Sequence, residues 1–385
     1  MARIDLDLAH AYRPDPKEDA DYALLPLQMS FEDGGAYALL GPSGCGKTTM
    51  LNIVSGLLKP SHGTVKFDGR DVTTLTPQQR NIAQVFQFPV IYDTMTVAEN
   101  LAFPLRNRGV APDRIRARVG KIAEMLELNG QLDQRASGLS ADAKQKISLG
   151  RGLVREDVSA VLFDEPLTVI DPHLKWQLRR KLKQIHHELK LTLVYVTHDQ
   201  VEALTFADRV VVMTRGRAVQ VGTAGELFEC PSHRFVGHFI GSPGMNFLPA
   251  MLDERGGLRV AEQPVATGGV ALDAALPRGT PFSLGIRPEY VTVDEVGEGV
   301  PALPGSLTGV VAQVQDIGTY WLLTVRTGAH MLKARLPAHA SPPPAGATVA
   351  LRVLNPHTCF YGADERLIAA TAGAATAGAR QEDLA

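Results

Sequence analysis

Apolar residues in the first part of the chain form short runs separated by amphipathic stretches. Residues 2–12 alternate apolar and polar positions, which predicts an edge strand, and residues 23–30 predict a second strand. Near-continuous apolar runs at 159–164, 191–197 and 209–213 are typical of parallel strands buried on both faces. Segments with helical periodicity separate these runs, so the pattern predicts an α/β domain built on a parallel sheet.

Residues 96–155 depart from this alternation of strands and helices. Helical periodicity recurs at 97–105, 112–128 and 143–154 without an intervening strand pattern. We therefore expect a helical subdomain at about 96–155, inserted between strands of the α/β core.

The composition and the hydrophobic pattern of the chain change after about residue 245. Glycine and proline become frequent, and short alternating runs at regular spacing predict a small β-barrel or sandwich. The last residues are rich in alanine and glycine and predict a disordered tail. The sequence thus predicts an α/β domain at 1–240, an all-β domain at 245–370 and a tail at 371–385.

Composition is that of an ordinary globular protein of 385 residues, with 45% hydrophobic and 21% charged residues. The net charge of −2 argues against binding to nucleic acid or to a membrane surface. Three widely spaced cysteines predict a reducing compartment and no disulfide framework. We expect neither a signal peptide nor a spanning helix, so membrane association would come through a partner.

One segment has the spacing G-x-x-x-x-G-K-[ST], between an apolar run and a predicted helix. Its glycines let backbone N–H groups converge on phosphate oxygens. Lys47 is expected to reach the β- and γ-phosphates, and the Thr48 hydroxyl is expected to ligate Mg²⁺. A chance glycine turn is the alternative, which the flanking strand and helix disfavour. The predicted nucleotide-binding residues are Gly41, Pro42, Ser43, Gly44, Cys45, Gly46, Lys47, Thr48 and Thr49.

Asp164 ends the apolar run at 159–164, and Glu165 follows it directly. An aspartate at a strand end beside a phosphate loop is placed to hold Mg²⁺, and we expect Asp164 to do so through water. Glu165 is expected to polarise the attacking water as a general base. The alternative is that both are surface carboxylates in a turn, and the buried apolar run before them disfavours it.

Three more side chains follow predicted strands. His198 is expected to hydrogen-bond the γ-phosphate and help place the water, and Gln87 to ligate Mg²⁺. Tyr12 is a candidate to stack on adenine. A histidine, a glutamine or an aromatic residue at a strand end can instead have a purely structural role, and an aromatic residue there more often belongs to the core.

Together these motifs resemble the ATP-binding subunits of ABC transporters, over residues 1 to about 370. The phosphate loop resembles the Walker A motif, and residues 161–165 resemble Walker B with the catalytic glutamate. Gln87, His198 and Tyr12 match the Q-loop, the switch histidine and the A-loop aromatic residue of that family.

Two further segments, 197–203 and 285–289, resemble the MalK-like members that energise carbohydrate and polyol importers. The resemblance implies an α/β P-loop ATPase domain with a helical subdomain, followed by a TOBE-type domain of OB-like barrels. Residues 88–95 beside Gln87 are expected to help line a groove for a coupling helix. Phe86, Phe88 and Tyr92 could serve either that groove or the core.

The chain departs from the family pattern at the signature, normally L-S-G-G-Q, where residues 139–143 are L-S-A-D-A. In ABC dimers this segment caps the ATP on the other subunit, with Ser140, Ala141 and Asp142 at the contact. Ala141 adds a methyl group where space is short, and Asp142 brings a carboxylate towards an anionic ligand. In the D-loop, Asp171 is kept but Val169 stands where the family has asparagine.

The resemblance implies an ATP hydrolase that uses Mg²⁺ and drives transmembrane transport from the cytoplasmic face of the cell membrane. Its partners would be two membrane-spanning permease subunits and a periplasmic or extracellular substrate-binding protein, with no nucleic acid. The degenerate signature favours a heterodimer with a second ATPase, and glycerol or a related polyol as cargo. Alternatives are an ordinary homodimer, an ATP-binding regulatory subunit with little turnover, and a soluble non-transport ABC ATPase.

Overall fold

The computed structural model describes residues 1–168, 170–295 and 303–371, with the side chains of Pro172 and His173 excepted. The chain divides into two compact units, Met1–Ala224 and Gly225–Ala385. The tail predicted at 371–385 lies outside the described residues from 372 onwards. No helix in the described ranges is long and apolar enough to cross a membrane.

The first unit combines a mixed sheet, an antiparallel sheet and helices. Its strands are β1 Ile4–Ala11, β2 Tyr22–Phe31, β3 Ala36–Leu40, β4 His62–Phe67, β5 Arg70–Asp71, β6 Ile82–Val85, β7 Ala160–Asp164, β8 Leu193–Thr197, β9 Arg209–Thr214 and β10 Arg217–Gly222. Its helices are α1 Lys47–Ser55, α2 Pro77–Arg80, α3 Val97–Arg106, α4 Pro112–Met125, α5 Ala141–Leu153, α6 Pro172–Leu189 and α7 Gln200–Phe206.

The mixed sheet has the strand order β10-β9-β3-β8-β7-β6, and its strands from β9 to β6 are parallel. The register places Leu40 opposite Thr197, and Asp164 opposite Val196. The carboxyl ends of β3, β7 and β8 therefore meet at one edge, and the segments that follow them lie side by side. This topology positions the candidate site, as expected for open parallel sheets.

The antiparallel sheet has the order β2-β1-β4-β5, so β1 is a central strand and the prediction of an edge strand was wrong. Ile4, Leu6 and Leu8 are buried on one face, as the alternation of apolar and polar residues predicted. Alternation reports which face meets the core but not whether the backbone edges are paired. Here β2 pairs with one edge of β1 and β4 with the other.

Helices α3, α4 and α5 fall between β6 and β7, where the helical subdomain was predicted. Leu101, Ile122 and Ile147, one from each helix, are fully buried in a common apolar cluster. Thr96 caps α3 through a reciprocal capping box with Glu99, which fixes where that helix begins.

The second unit is formed mainly by two antiparallel sheets, of order β13-β12-β11-β14-β20-β21 and β15-β19-β16-β17-β18. Helices α8 Ala224–Glu229 and α9 Arg234–Phe239 come before the strands. The strands are β11 Asn246–Leu252, β12 Leu258–Val260, β13 Gln263–Val265, β14 Pro281–Ile286, β15 Thr292–Glu295, β16 Ser306–Asp316, β17 Tyr320–Thr327, β18 His330–Pro337, β19 Thr348–Arg352, β20 Cys359–Tyr361 and β21 Leu367–Ala370. Both sheets contribute to one apolar core, which confirms the predicted all-β organisation.

Candidate active site

The phosphate loop joins β3 to α1. Gly44 and Gly46 adopt φ of 78° and 104°, a region that favours glycine. A side chain at Gly46 would also meet the carbonyl oxygen of Ala23 at 2.5 Å. The loop thus leaves no room for a side chain at Gly46, and the N–H groups of the first turn of α1 offer donors and a partial positive charge to an anion.

Lys47 is the first residue of α1, and it is buried at 6% exposure. Its Nζ donates to the carbonyl oxygens of Gly41 at 2.7 Å and Pro42 at 3.0 Å. These bonds hold the ammonium group inside the loop. Burial raises the pKa of the neighbouring Cys45 thiol, so the thiol stays neutral and does not offset the positive charge. The loop is therefore suited to a polyphosphate.

Thr48 and Asp164 form a hydrogen-bonded pair of oxygen donors at the same edge, and they are the predicted metal ligands. The Thr48 hydroxyl donates to Oδ1 of Asp164 at 3.2 Å. Burial raises the pKa of the Asp164 carboxyl, and the adjacent Glu165 carboxylate raises it further. A divalent cation would offset both causes of the raised Asp164 pKa, and Mg²⁺ prefers oxygen ligands of this kind. The donor set therefore fits the predicted metal.

Gln87 lies two residues beyond β6, because that strand ends at Val85 and not at Gln87 as predicted. Since β6 pairs in parallel with β7, with Val85 opposite Phe163, Gln87 follows the strand next to the one that carries Asp164. The structure thus keeps Gln87 at the carboxyl edge of the sheet, in a bend and not within a strand.

Glu165 and His198 are brought together at the ends of β7 and β8. Nδ1 of His198 lies 3.1 Å from Oε2 of Glu165, and the Thr168 hydroxyl donates to the same oxygen at 3.2 Å. The backbone N–H of Glu165 donates to the carbonyl of Val196 at 3.1 Å, which ties the two strand ends together. This places a carboxylate beside the Thr48–Asp164 pair, where it can accept a proton from water.

The Tyr12 ring is 67% exposed, and its hydroxyl lies 3.1 Å from the hydroxyl of Thr49 in α1. His10 packs edge-on against that ring, with centroids 4.7 Å apart, and its Nδ1 lies 3.3 Å from the Ser61 hydroxyl. An exposed ring supported from behind is suited to stacking on a base. Sequence reasoning missed His10, although its position two residues before Tyr12 was a usable signal.

The altered signature forms the start of α5. The Ser140 hydroxyl accepts from the backbone N–H of Ala143 at 3.3 Å and caps the helix. Oδ2 of Asp142 lies 3.4 Å from Nζ of Lys146 one turn later. This ion pair offsets part of the carboxylate's charge, so its repulsion of an anion is weaker than that of an unpaired carboxylate. Asp142 also borders a cavity of about 390 Å³ beside Trp176 of α6.

Asp171 directly precedes α6, and its carbonyl accepts from the backbone N–H of Lys175 at 2.9 Å. Val169, the departure predicted in the D-loop, lies outside the described residues.

Next to Gln87, apolar side chains lie on the surface. Phe86, Phe88, Val90 and Tyr92 are all exposed, with Phe88 at 67%. Of the two uses considered for Phe86, Phe88 and Tyr92, a surface contact fits this exposure better than the core.

Family models match three parts of the chain. The model for ABC transporters matches residues 24–168, the MalK OB fold domain matches 241–291, and the TOBE domain matches 284–360. These matches include the phosphate loop, Gln87, Asp164 and Glu165 of the candidate site and most strands of the all-β unit, whereas Tyr12 and His198 lie outside them.

Among curated relatives, the sn-glycerol-3-phosphate import ATP-binding protein UgpC of Burkholderia thailandensis is 39% identical over 349 residues, covering 89% of this chain and 94% of the relative. UgpC of Salmonella typhi is 40% identical over 332 residues, covering 85% and 90%. Among solved structures, cbiO1 from Clostridium perfringens, part of the ABC transporter complex cbiONQ, aligns with a TM-score of 0.52 and 27% identity over 57% of this chain and 88% of that one. The geometry of the candidate site and the comparisons with known proteins thus both indicate binding of ATP.

Proposed function

Because the chain belongs to the ATP-binding subunits of ABC transporters, with the OB and TOBE domains of the MalK type, we propose that it energises uptake of glycerol or its 3-phosphate ester. It binds ATP with Mg²⁺ and hydrolyses ATP in support of transport. The cargo proposal is supported by the relatives' names, which specify sn-glycerol-3-phosphate import. In this proposal the ATPase domain spans 1–240 and the β domain spans 245–370, so α8 and α9 are counted with the ATPase domain although the second compact unit begins at Gly225.

The observation that carries the hydrolytic role is the convergence of two side-chain pairs at one sheet edge, Thr48 with Asp164 and Glu165 with His198. In the proposed mechanism Lys47 binds the β- and γ-phosphates, and Glu165 accepts a proton from the attacking water. His198 orients that water and the γ-phosphate. Bound Mg²⁺ would supply charge neutralisation on the phosphate oxygens, with Thr48, Asp164 and Gln87 as its proposed ligands.

Two permease subunits and a substrate-binding protein complete the proposed importer. The ATPase would sit at the cytoplasmic face of the membrane, with the exposed apolar residues beside Gln87 receiving the permease. Such a patch on a protein surface is typical of a docking site.

Uptake in cells tests the cargo proposal. Deleting this chain should abolish energy-dependent uptake of labelled glycerol or sn-glycerol 3-phosphate at low external concentration, and the intact chain should restore it. Uptake of maltose in the same cells is the control and should not change. Loss of maltose uptake with glycerol and its phosphate ester unaffected would contradict the proposal.

We also propose that the chain pairs with a second ATPase that has an intact signature. Two substitutions in the signature support this proposal. Ala141 adds bulk and Asp142 adds an acidic group at the N-terminus of α5, where a signature helix faces the partner's γ-phosphate. A homodimer would have two such weakened contacts. A heterodimer would keep one competent site, built on this chain's phosphate loop and Glu165.

Restoring the signature tests this pairing. The double substitution Ala141→Gly with Asp142→Gly should raise ATP hydrolysis by the chain purified alone about tenfold, equivalent to about 1.4 kcal/mol of transition-state stabilisation. The matched variant Asp142→Asn removes the charge but keeps the volume, so it separates repulsion from crowding. If the unmodified chain alone is already as active as the double variant, the altered signature is harmless and a homodimer suffices.

A further inference from the structure

One polar side chain of α5 is buried completely and binds outside its own helix. Gln145 has 0% exposure, and its Nε2 donates to the carbonyl oxygen of Pro166 at 2.6 Å. Gln145 lies one helical turn after Ala141, at the beginning of the signature helix. Pro166 directly follows Glu165 in the turn after β7. A single hydrogen bond therefore joins the signature helix to the segment that carries the candidate general base.

The orientation of the Gln145 amide follows from its partner. A carbonyl oxygen only accepts, so the amide must present its NH₂ group to Pro166. Oε1 of Gln145 is buried and has no hydrogen-bond partner among the described residues. Burying an unsatisfied oxygen is unfavourable, and an apolar side chain would avoid that cost. The amide at this position therefore has one evident use, which is the donor bond to Pro166.

The turn that receives this bond holds Glu165 in an uncommon conformation. Glu165 has φ of 47°, in the left-handed region that non-glycine residues rarely adopt. Such a conformation persists only where surrounding contacts impose it. Two backbone bonds hold the turn, from Glu165 N–H to Val196 and from Thr168 N–H to the carbonyl of Glu165. Gln145 adds a third contact, from a different element of the chain.

We propose that Gln145 is a positioning residue that couples the signature helix to Glu165. The inference rests on the proposed function, in which α5 caps the nucleotide of the partner subunit while Glu165 acts on the nucleotide bound by its own chain. A shift of α5 on meeting that partner nucleotide would move the Pro166 carbonyl and, with it, the adjacent carboxylate. The Gln145 amide thereby links the two ATP sites of the dimer through one chain.

Replacing Gln145 with leucine tests the coupling, because leucine keeps a similar volume but has no donor. In the assembled ATPase complex, Gln145→Leu should lower kcat about tenfold and leave KM for ATP unchanged, since Gln145 lies outside the predicted nucleotide contacts. The variant Gln131→Leu is the control, because Gln131 also has a buried unpartnered oxygen but lies in a different turn of the helical subdomain. It should retain the original kcat.

The variant Gln145→Glu gives a readout that a merely structural role would not produce. Burial raises the pKa of a carboxyl group, and the protonated form can donate to Pro166 as the amide does. The ratio of its kcat to that of the unmodified complex should therefore fall as pH rises and the carboxyl ionises. The same ratio for Gln145→Leu should stay low and flat with pH.

Amide hydrogen exchange provides a measurement that does not depend on hydrolysis. In the nucleotide-free chain, Gln145→Leu should speed exchange at Leu167 and Thr168 by several-fold, because the turn loses a restraint. Unchanged exchange there, an unchanged kcat for Gln145→Leu, or a flat ratio for Gln145→Glu would each overturn the proposal. Failure of the uptake test in cells would remove the cargo assignment while these comparisons of kcat and exchange remain valid.

Discussion

Replacing Glu165 with glutamine is expected to reduce ATP hydrolysis by a factor of about 10² to 10⁴, the usual contribution of a positioned general base. The side chain keeps its size, so the contacts with His198 and Thr168 can persist in altered form. The amide cannot take a proton from water. Phosphate release at saturating ATP measures the loss. ATP affinity, measured by titration with a fluorescent nucleotide, should stay within about twofold because Lys47 and the glycine loop are unchanged.

The matched control is Glu188→Gln on the exposed side of α6, where Oε1 of Glu188 accepts from Gln184 in the same helix. It should have the original rate. Uptake of the cargo in cells should stop with Glu165→Gln, which separates an importer ATPase from a regulatory subunit, whose regulation would survive. Turnover within threefold of the original would exclude Glu165 as the base and direct attention to His198.

The site was largely predictable because it depends on local sequence and on one topological rule. The glycine spacing of the phosphate loop, the acidic residues at the end of β7 and the histidine after β8 are all readable along the chain. In parallel sheets these strand ends must share an edge, which the sequence therefore predicted. The direct contact of Glu165 with His198 depends on β7 and β8 being neighbours in the sheet. The substitutions in the signature were visible for the same reason.

What sequence could not provide were contacts between segments distant in the chain. The position of β1 within its sheet depends on pairing with β4, more than fifty residues away, which alternation does not encode. The packing of His10 on Tyr12 is different, because these residues are two positions apart and their spacing was a usable signal. Gln145 lies in an ordinary amphipathic pattern, and only tertiary structure brings Pro166 to it. The Asp142–Lys146 pair was readable at i and i+4, and it softens the effect expected of the altered signature.

In the proposed mechanism Lys47 and Glu165 contribute to different steps, since Lys47 binds phosphate and Glu165 activates water. The ammonium group of Lys47 is held by the loop carbonyls of Gly41 and Pro42 before any ligand arrives. It is therefore positioned in advance, and little conformational entropy is lost when a phosphate binds. A defect at Lys47 should appear in affinity, whereas a defect at Glu165 should appear in turnover.

Replacing Lys47 with methionine is expected to weaken MgATP binding about 100-fold, because a hydrogen bond to a charged group contributes about 1.5–3 kcal/mol. Methionine keeps the unbranched stem in its buried position, so the loss reports on the ammonium group. Titration with a fluorescent ATP analogue measures the dissociation constant. The variant Lys66→Met, at an exposed position of β4, is the control and should bind as the original does. Stability without ligand should fall by about 1 kcal/mol, because the bridge to the two loop carbonyls is lost. Binding of MgATP at the original affinity by Lys47→Met would show that the backbone of the loop suffices.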